Sequence, residues 1–205
     1  MIYAEDAVLV LLAAGLSSRF PSGNKLEAEF LGKPVGLHVA TALASVPFKE
    51  RLVVTDGCKL VFDGYDVVHN DVPAEGMGRS VRLGVARAKE LGARAVVIAL
   101  ADMPRVTAAH VYRLLDAAVG DDAVVASSDG AQPRPPAVFG AARFDFLLTL
   151  EGEAGARDLV RAGKHVVTAP AELIDIDTPE DLDRLMELVR DPARTITRAE
   201  ARRSD

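Results

Sequence analysis

Arg19 and Lys25 lie in a stretch that also holds Ala14, Gly15, Ser17, Ser18 and Gly23, directly after the apolar run that ends Leu12-Ala13. Small residues let backbone N–H groups approach a phosphate chain, and two cations can neutralise it. The plain alternative is a surface loop with solvated charges. Polyphosphates travel with Mg2+, a hard ion that takes oxygen ligands and keeps several waters, so a carboxylate is expected opposite those cations. Asp102 is placed to supply it, following the run Ala95-Val96-Val97-Ile98-Ala99-Leu100-Ala101 and preceding Met103-Pro104. It could instead only cap a turn before proline. Asp177 is a second candidate metal ligand, since alternation along 173–176 would put Asp175 and Asp177 on one face of a short strand. An aspartate there could also simply favour the helix that follows. Glu75-Gly76-Met77-Gly78-Arg79-Ser80 opens another helix, and glycines at such a point can expose backbone donors to a nucleotide.

These residues need a frame. Runs at 7–13, 51–55, 95–101 and 123–127 are continuously apolar, the habit of parallel strands covered on both faces. Helical patterns fill 34–46, 79–91 and 107–119, the last with Thr107 as N-cap and Val111, Leu114, Leu115, Ala118 and Val119 on one stripe. The alternation predicts an α/β fold: a Rossmann-like, doubly wound, mostly parallel sheet with helices on both faces, in a single domain. Shorter strands are expected at 137–139, 165–168 and 173–176, and helices near 143–150 and 154–162. Thr178 as N-cap, Pro179 at the first helical position and Glu180 and Asp181 in the first turn start a last helix, which Asp191-Pro192 ends. The expected division is one domain over 1–190 and a polar tail over 191–205, disordered or an interaction surface. In such sheets ligands bind beyond the carboxyl ends of strands, and the connection over 14–33 is far longer than the usual ~2–6 residues.

Composition narrows the classes. The 205 residues carry 24 Lys and Arg against 30 Asp and Glu, a net charge of −6, which argues against a nucleic-acid binder. One cysteine, Cys58, excludes an internal disulfide framework and a multi-cysteine zinc site, and suits a reducing cytoplasm. The short apolar stretch at 7–14 follows Glu5 and Asp6 rather than basic residues, unlike a signal peptide. No run approaches the ~20 apolar residues of a membrane span. His38, His69, His110 and His165 show no triad or metal spacing. Lys25 is followed by Leu26, so the loop is not a Walker A motif, and the three spaced glycines of a dinucleotide turn are missing.

Taken in order, Leu12-Ala13-Ala14-Gly15-Leu16-Ser17-Ser18-Arg19, Asn24-Lys25-Leu26, Gly32-Lys33-Pro34, Glu75-Gly76-Met77-Gly78-Arg79-Ser80, Ala101-Asp102-Met103-Pro104, Gly155-Ala156-Arg157 and Asp175-Ile176-Asp177-Thr178-Pro179-Glu180-Asp181-Leu182 closely resemble the MobA-like nucleotidyltransferases. Within that group they are most similar to the molybdenum-cofactor cytidylyltransferases. The resemblance implies transfer of a nucleotidyl group from a nucleoside triphosphate to a phosphate-bearing acceptor with Mg2+, releasing pyrophosphate. It implies a nucleotide along Leu12, Ala13, Ala14, Gly15, Arg19 and Lys25, with Gly78 and Ser80 nearby. It makes Asp102 a magnesium ligand and Asp177 a second, and groups Arg19, Lys25 and Asp102 as the catalytic set. Ala14 stands where guanylyl-transferring members tend to carry glycine, which favours CTP over GTP. Phe20-Pro21-Ser22-Gly23 departs from the family's Met-Gly, and Arg134-Pro135-Pro136-Ala137 departs from its Gly and Asn or His, near the expected acceptor pocket.

Three readings follow. In the first, an acceptor phosphate oxygen attacks the α-phosphorus in line and pyrophosphate leaves, with molybdopterin or molybdenum cofactor as acceptor and a molybdoenzyme or chaperone as downstream partner. In the second, the chain is a non-catalytic nucleotide or pterin carrier that docks through Arg194, Arg198, Arg202 and Arg203. The third keeps the chemistry but takes a phosphorylated sugar, polyol or phospholactate as acceptor.

Overall fold

Ala7–Ala13 (β1) has no polar member and every residue is buried, because both its edges and both its faces are covered. The computed structural model describes residues 1–15, 17, 19–20, 23–152 and 156–191. Along it follow Glu29–Phe30 (β2), Lys33–Pro34 (β3), Val35–Ala42 (α1), Glu50–Thr55 (β4), Asp66–His69 (β5), Met77–Glu90 (α2) and Ala95–Leu100 (β6). Next come Ala108–Ala117 (α3), Val124–Ser128 (β7), Pro133–Gly140 (β8), Phe144–Leu147 (α4), Arg157–Ala162 (α5), Lys164–Val167 (β9) and Pro179–Arg190 (α6). One seven-stranded sheet runs β5-β4-β1-β6-β8-β7-β9, and only β8 is antiparallel to the rest. The mostly parallel α/β sheet in a single domain is the expected fold.

Strand alternation sorts β1 into two layers. Val8, Val10 and Leu12 pack with Val81, Val85 and Ala88 of α2 and with Phe144 and Leu147 of α4. Ala7, Leu9, Leu11 and Ala13 face the opposite layer, with Val39 and Ala40 of α1 and Val111, Leu114 and Leu115 of α3. Each such Val or Leu contributes about 1.5–3 kcal/mol by leaving water. At Gly84 the layers nearly touch: a Cβ there would lie 2.3 Å from Val10 Cγ1 and 3.3 Å from Val54 Cγ2. Valine is stiff at χ1 and cannot swing away. Gly84→Ala is therefore expected to cost about 1–3 kcal/mol, read as a lower urea midpoint at unchanged slope. An unshifted midpoint would show that the contact relaxes freely.

A third, smaller cluster positions the site. Phe20, Phe30 and Val35 pack against Ile176, Leu185 and Leu188, so α6 clamps the long connection after β1. Phe20 belongs to the atypical 20–23 segment, and the anchor it supplies is apolar packing. The connection itself is less irregular than expected, since it holds a 3-10 turn over Lys25–Glu27 and the β2–β3 hairpin.

Several boundaries differ from expectation. α1 stops at Ala42 instead of reaching 46; Val46, which precedes Pro47, is itself disfavoured in the helical region. The strand expected at 173–176 is absent: Pro170–Leu173 is a 3-10 turn, and both edges of β6 are already taken by β1 and β8. What remains is one bond from Ile176 N–H to the Asp102 carbonyl, 2.9 Å. The helix expected at 143–150 shortens to α4 after a 3-10 turn over Ala141–Arg143. β5, a four-residue edge strand with polar ends Asp66 and His69, has no counterpart among the expected strands. Gly155, Leu16, Ser18, Pro21, Ser22 and residues 192–205, with the four tail arginines, lie outside the described residues.

A buried polar chain runs under β7 and β8. Arg113 Nη2 donates to His110 Nδ1 at 3.0 Å, which leaves the imidazole proton on Nε2 to be donated to Ser127 Oγ at 2.7 Å. Ser127 Oγ in turn donates to the Pro136 carbonyl at 2.7 Å. Burial first, then the Arg113 charge, lower the His110 pKa below its ordinary value, with Glu172 opposing. The folded chain thus refuses a proton that the unfolded chain accepts below about 6.5. Stability from this source is complete above that value and is lost as pH falls toward the lower folded one. Between about pH 7.5 and 5.5 the urea midpoint of the natural protein is expected to fall further than that of His110→Gln. Parallel losses in the two proteins would mean that His110 plays no part.

Candidate functional site

Lys25 opens the 3-10 turn whose N-cap is Asn24, the side chain accepting from Leu26 N–H at 2.9 Å. Behind it, Ser17 sits at φ 45 and its Oγ accepts the Lys25 N–H at 3.2 Å. A non-glycine residue held in the left-handed region is strained and persists where surrounding contacts fix it. The result is an ammonium carried from the end of β1 into the space between two carboxylates. Lys25 Nζ lies 2.6 Å from Asp102 Oδ2 and 2.7 Å from Asp177 Oδ1, and its side chain is only 13% exposed. Arg19, 63% exposed, reaches Asp177 Oδ2 at 3.3 Å.

The carboxylates are fixed from the backbone up. Asp102 follows β6, and the bond from Ile176 N–H to its carbonyl stitches 175–177 alongside. Thr178 and Asp181 form a reciprocal capping box at the start of α6, and Asp181 Oδ2 also accepts Asp177 N–H at 3.2 Å. The cap that starts a helix thereby orients Asp177. Although no strand forms at 173–176, Ile176 is buried in the third cluster while Asp177 faces Lys25 and Asp175 faces Arg134 Nη1 at 3.6 Å. The expected shared side for Asp175 and Asp177 survives without a ladder.

The electrostatics follow from the crowding. Burial works against the Lys25 charge, but the charges and hydrogen bonds of Asp102 and then Asp177 outweigh it and hold the ammonium above its ordinary pKa. Asp175 is pushed up to about 6, by burial first and then by the negative charge of Asp102, with Asp177 adding to it. Asp102 Oδ1 is buried and has no hydrogen-bond partner among the described residues. A buried carboxylate oxygen without a donor is costly, and a divalent cation would satisfy it. Among the described residues no three His, Cys, Asp or Glu side chains converge to cage an ion. Two carboxylates fit Mg2+, which is typically held by one or two of them together with substrate phosphates and water.

The structure thus brings Arg19, Lys25, Asp102 and Asp177 together across 77 and 152 residues of sequence. Leu12 and Ala13 lie inside β1, with side chains in the two cores and backbone in the ladder, so neither offers a side chain to a ligand. Ala14 and Gly15 follow the strand end, and apart from its chain neighbours no atom of the described residues lies within 4 Å of where a Cβ on Gly15 would sit. The groups that open α2 carry hydrogen bonds within the fold. Gly78 N–H is already given to the Gly152 carbonyl at 2.9 Å, Gly76 N–H to Pro73 and Arg79 N–H to Gly76. Ser80 is 2% exposed and its Oγ accepts from Asn70 Nδ2 at 3.0 Å. The sequence marks Arg134 only as a departure near the expected acceptor pocket and Asp175 only as sharing a face with Asp177; their contact with each other joins residues distant in the chain.

The model of the MobA-like NTP transferase domain matches residues 9–167. The chain is 34% identical to the purine catabolism protein PucB of Bacillus subtilis (strain 168), over 85% of this chain and 93% of that protein. It is 32% identical to the phosphoenolpyruvate guanylyltransferase of Conexibacter woesei, over 78% of this chain and 76% of that one. Among solved structures, Rv0371C of Mycobacterium tuberculosis H37Rv in complex with manganese superposes with a TM-score of 0.71 at 26% identity, covering 88% of this chain and 98% of that chain. No helix among the described residues is long and apolar enough to cross a membrane.

Proposed function

The chain belongs to the MobA-like NTP transferase family and is a nucleotidyltransferase, and from that premise we propose that it transfers the nucleotidyl group of CTP to the phosphate of a molybdenum-cofactor-type pterin. The observation that carries the reading is Lys25 seated between Asp102 and Asp177 beside Arg19, beyond the carboxyl ends of central strands. The reactants are two polyanions, so the barrier is charge repulsion and alignment more than covalent chemistry. Arg19 and Lys25 neutralise the triphosphate that follows β1, while Ala14 and Gly15 leave its backbone approach open. Asp102 and Asp177 hold a divalent cation, Mg2+ in our reading, and the manganese complex of the mycobacterial relative supports divalent use. When bound, that ion supplies Lewis-acid neutralisation of phosphate oxygens. The acceptor phosphate is already anionic at neutral pH, so no protein base is needed. Its oxygen bonds to the α-phosphorus as the bridging α–β P–O bond breaks and pyrophosphate takes the electron pair.

A second reading keeps this chemistry with GTP and a small phosphorylated acid, and the guanylyltransferase relative favours it. The cytoplasm, the division into 1–190 and a tail, and a molybdoenzyme or chaperone partner remain part of the proposal. The test is a matrix of CTP, GTP and ATP against molybdopterin, phosphoenolpyruvate, 2-phospholactate and a sugar phosphate, with Mg2+, reading pyrophosphate. CTP with the pterin is expected to turn over best. Preference for GTP with a phosphorylated acid would replace the first reading by the second, and nucleotide binding without any pyrophosphate would leave a carrier.

A further inference from the structure

Beyond β1 and β6, the sheet continues to β8, and that strand is antiparallel to β6. Its first residues therefore lie at the carboxyl end of β6, on the flank opposite β1. Asp102 stands in the middle. Lys25 reaches it, and Arg19 reaches the neighbouring Asp177, from the β1 side, while Arg134, the second residue of β8, reaches Asp175 of the same carboxylate cluster from the other.

Arg134 is aimed rather than spent. Its Nη1 lies 3.6 Å from Asp175 Oδ1 and its Nε 3.6 Å from Asp129 Oδ2, both longer than a well-formed hydrogen bond, and the side chain is 21% exposed. Asp129 is itself rigid, because its Oδ1 accepts Ala131 N–H at 2.8 Å and Gln132 N–H at 2.9 Å. The Ser127 bond to the Pro136 carbonyl fixes the following turn of chain. A guanidinium oriented by two carboxylates still presents the rest of its planar fork, the geometry that matches phosphate. Charge decides when that fork can be used. Asp102, Asp129, Asp175 and Asp177 outnumber Arg19, Lys25 and Arg134, so the bare cluster repels an anion, whereas a divalent cation reverses the sign.

We infer that Arg134 is the acceptor-binding residue, gripping the acceptor's phosphate on the β8 flank and turning one oxygen toward the α-phosphorus held on the β1 flank. The inference rests on the nucleotidyl-transfer reading and adds the residue that recognises the acceptor's phosphomonoester. A bond forms between that oxygen and the α-phosphorus, and the pair from the broken α–β bond leaves on pyrophosphate; Arg134 gains and loses no proton.

The test is calorimetric binding to the full-length protein loaded with Mg2+ and α,β-methylene-CTP, with glycerol 3-phosphate and phosphoenolpyruvate as phosphomonoester probes. Arg134→Gln is expected to weaken both probes about tenfold or more, and Arg134→Lys by less, while the affinity for the Mg2+–nucleotide stays within about twofold. Matching thermal unfolding curves check that the variants fold, and Arg134→Lys preserves the charge if the glutamine variant does not. Equal probe affinity in Arg134→Gln overturns the inference. So does a natural protein that binds nucleotide but neither probe. Failure of the natural protein to bind any nucleotide is a different result, since it removes the transfer reading and this inference with it.

Discussion

Asp102→Asn is expected to lower the rate of pyrophosphate release by about 10³-fold or more, and to weaken Mn2+ binding by at least about 100-fold. The amide has nearly the shape of the carboxylate, so β6 and the bond to Ile176 N–H should survive, and the loss can be read as charge. In the natural protein Asp102 uses Oδ2 on Lys25 and keeps Oδ1 buried without a donor among the described residues. That free oxygen is the reason to assign it the ion: removing its charge removes both the ligand and the cost that binding relieves. Titration calorimetry and Mn2+ paramagnetic resonance give the affinity directly, independently of which acceptor is used. An asparagine variant that holds the ion as tightly as the natural protein would place the metal elsewhere.

Lys25→Ala should also be nearly inactive, slower by about 10²–10³-fold, yet with the opposite effect on the metal. The ammonium lies within 2.7 Å of both carboxylates and competes with a divalent ion for their charge. Taking it away leaves Asp102 and Asp177 facing each other, so Mn2+ affinity should hold or rise. The metal-free variant should be less stable, by no more than the about 3–5 kcal/mol lost when a buried ion pair loses one partner, because these side chains retain some exposure. Added Mg2+ should restore more of the unfolding temperature in this variant than in the natural protein. Loss of metal binding in Lys25→Ala would mean that the lysine organises the carboxylates, and normal turnover would remove it from the chemistry.

These two variants separate roles that the sequence presents together. Arg19, Lys25, Asp102 and Asp177 could all be named from residue type and position, because glycine, hydroxyl and cation spacing after a buried strand, and an aspartate at a buried strand's end, are local patterns. Gly78 and Ser80 show the limit of such patterns. A glycine-rich helix start looks the same whether its N–H groups are open or already bound; here the Gly152 carbonyl takes the Gly78 N–H, and Ser80 Oγ accepts from Asn70 Nδ2. The atypical Phe20 segment was visible only as a departure. Its packing on Leu185 and Leu188 depends on α6, more than 160 residues later.

Local order came from the chain alone: unbroken apolar runs of strand length suit a sheet covered on both faces, and Thr178-Pro179-Glu180-Asp181 caps a helix. Folding decided which charges meet. Coulomb energies depend on separation in space, and the strand order β1-β6-β8 sets those separations. It seats Lys25 between two aspartates at once, leaves Asp102 Oδ1 with no donor among the described residues and brings Arg134 to the far side of the same cluster, contacts that spacing along the chain does not encode.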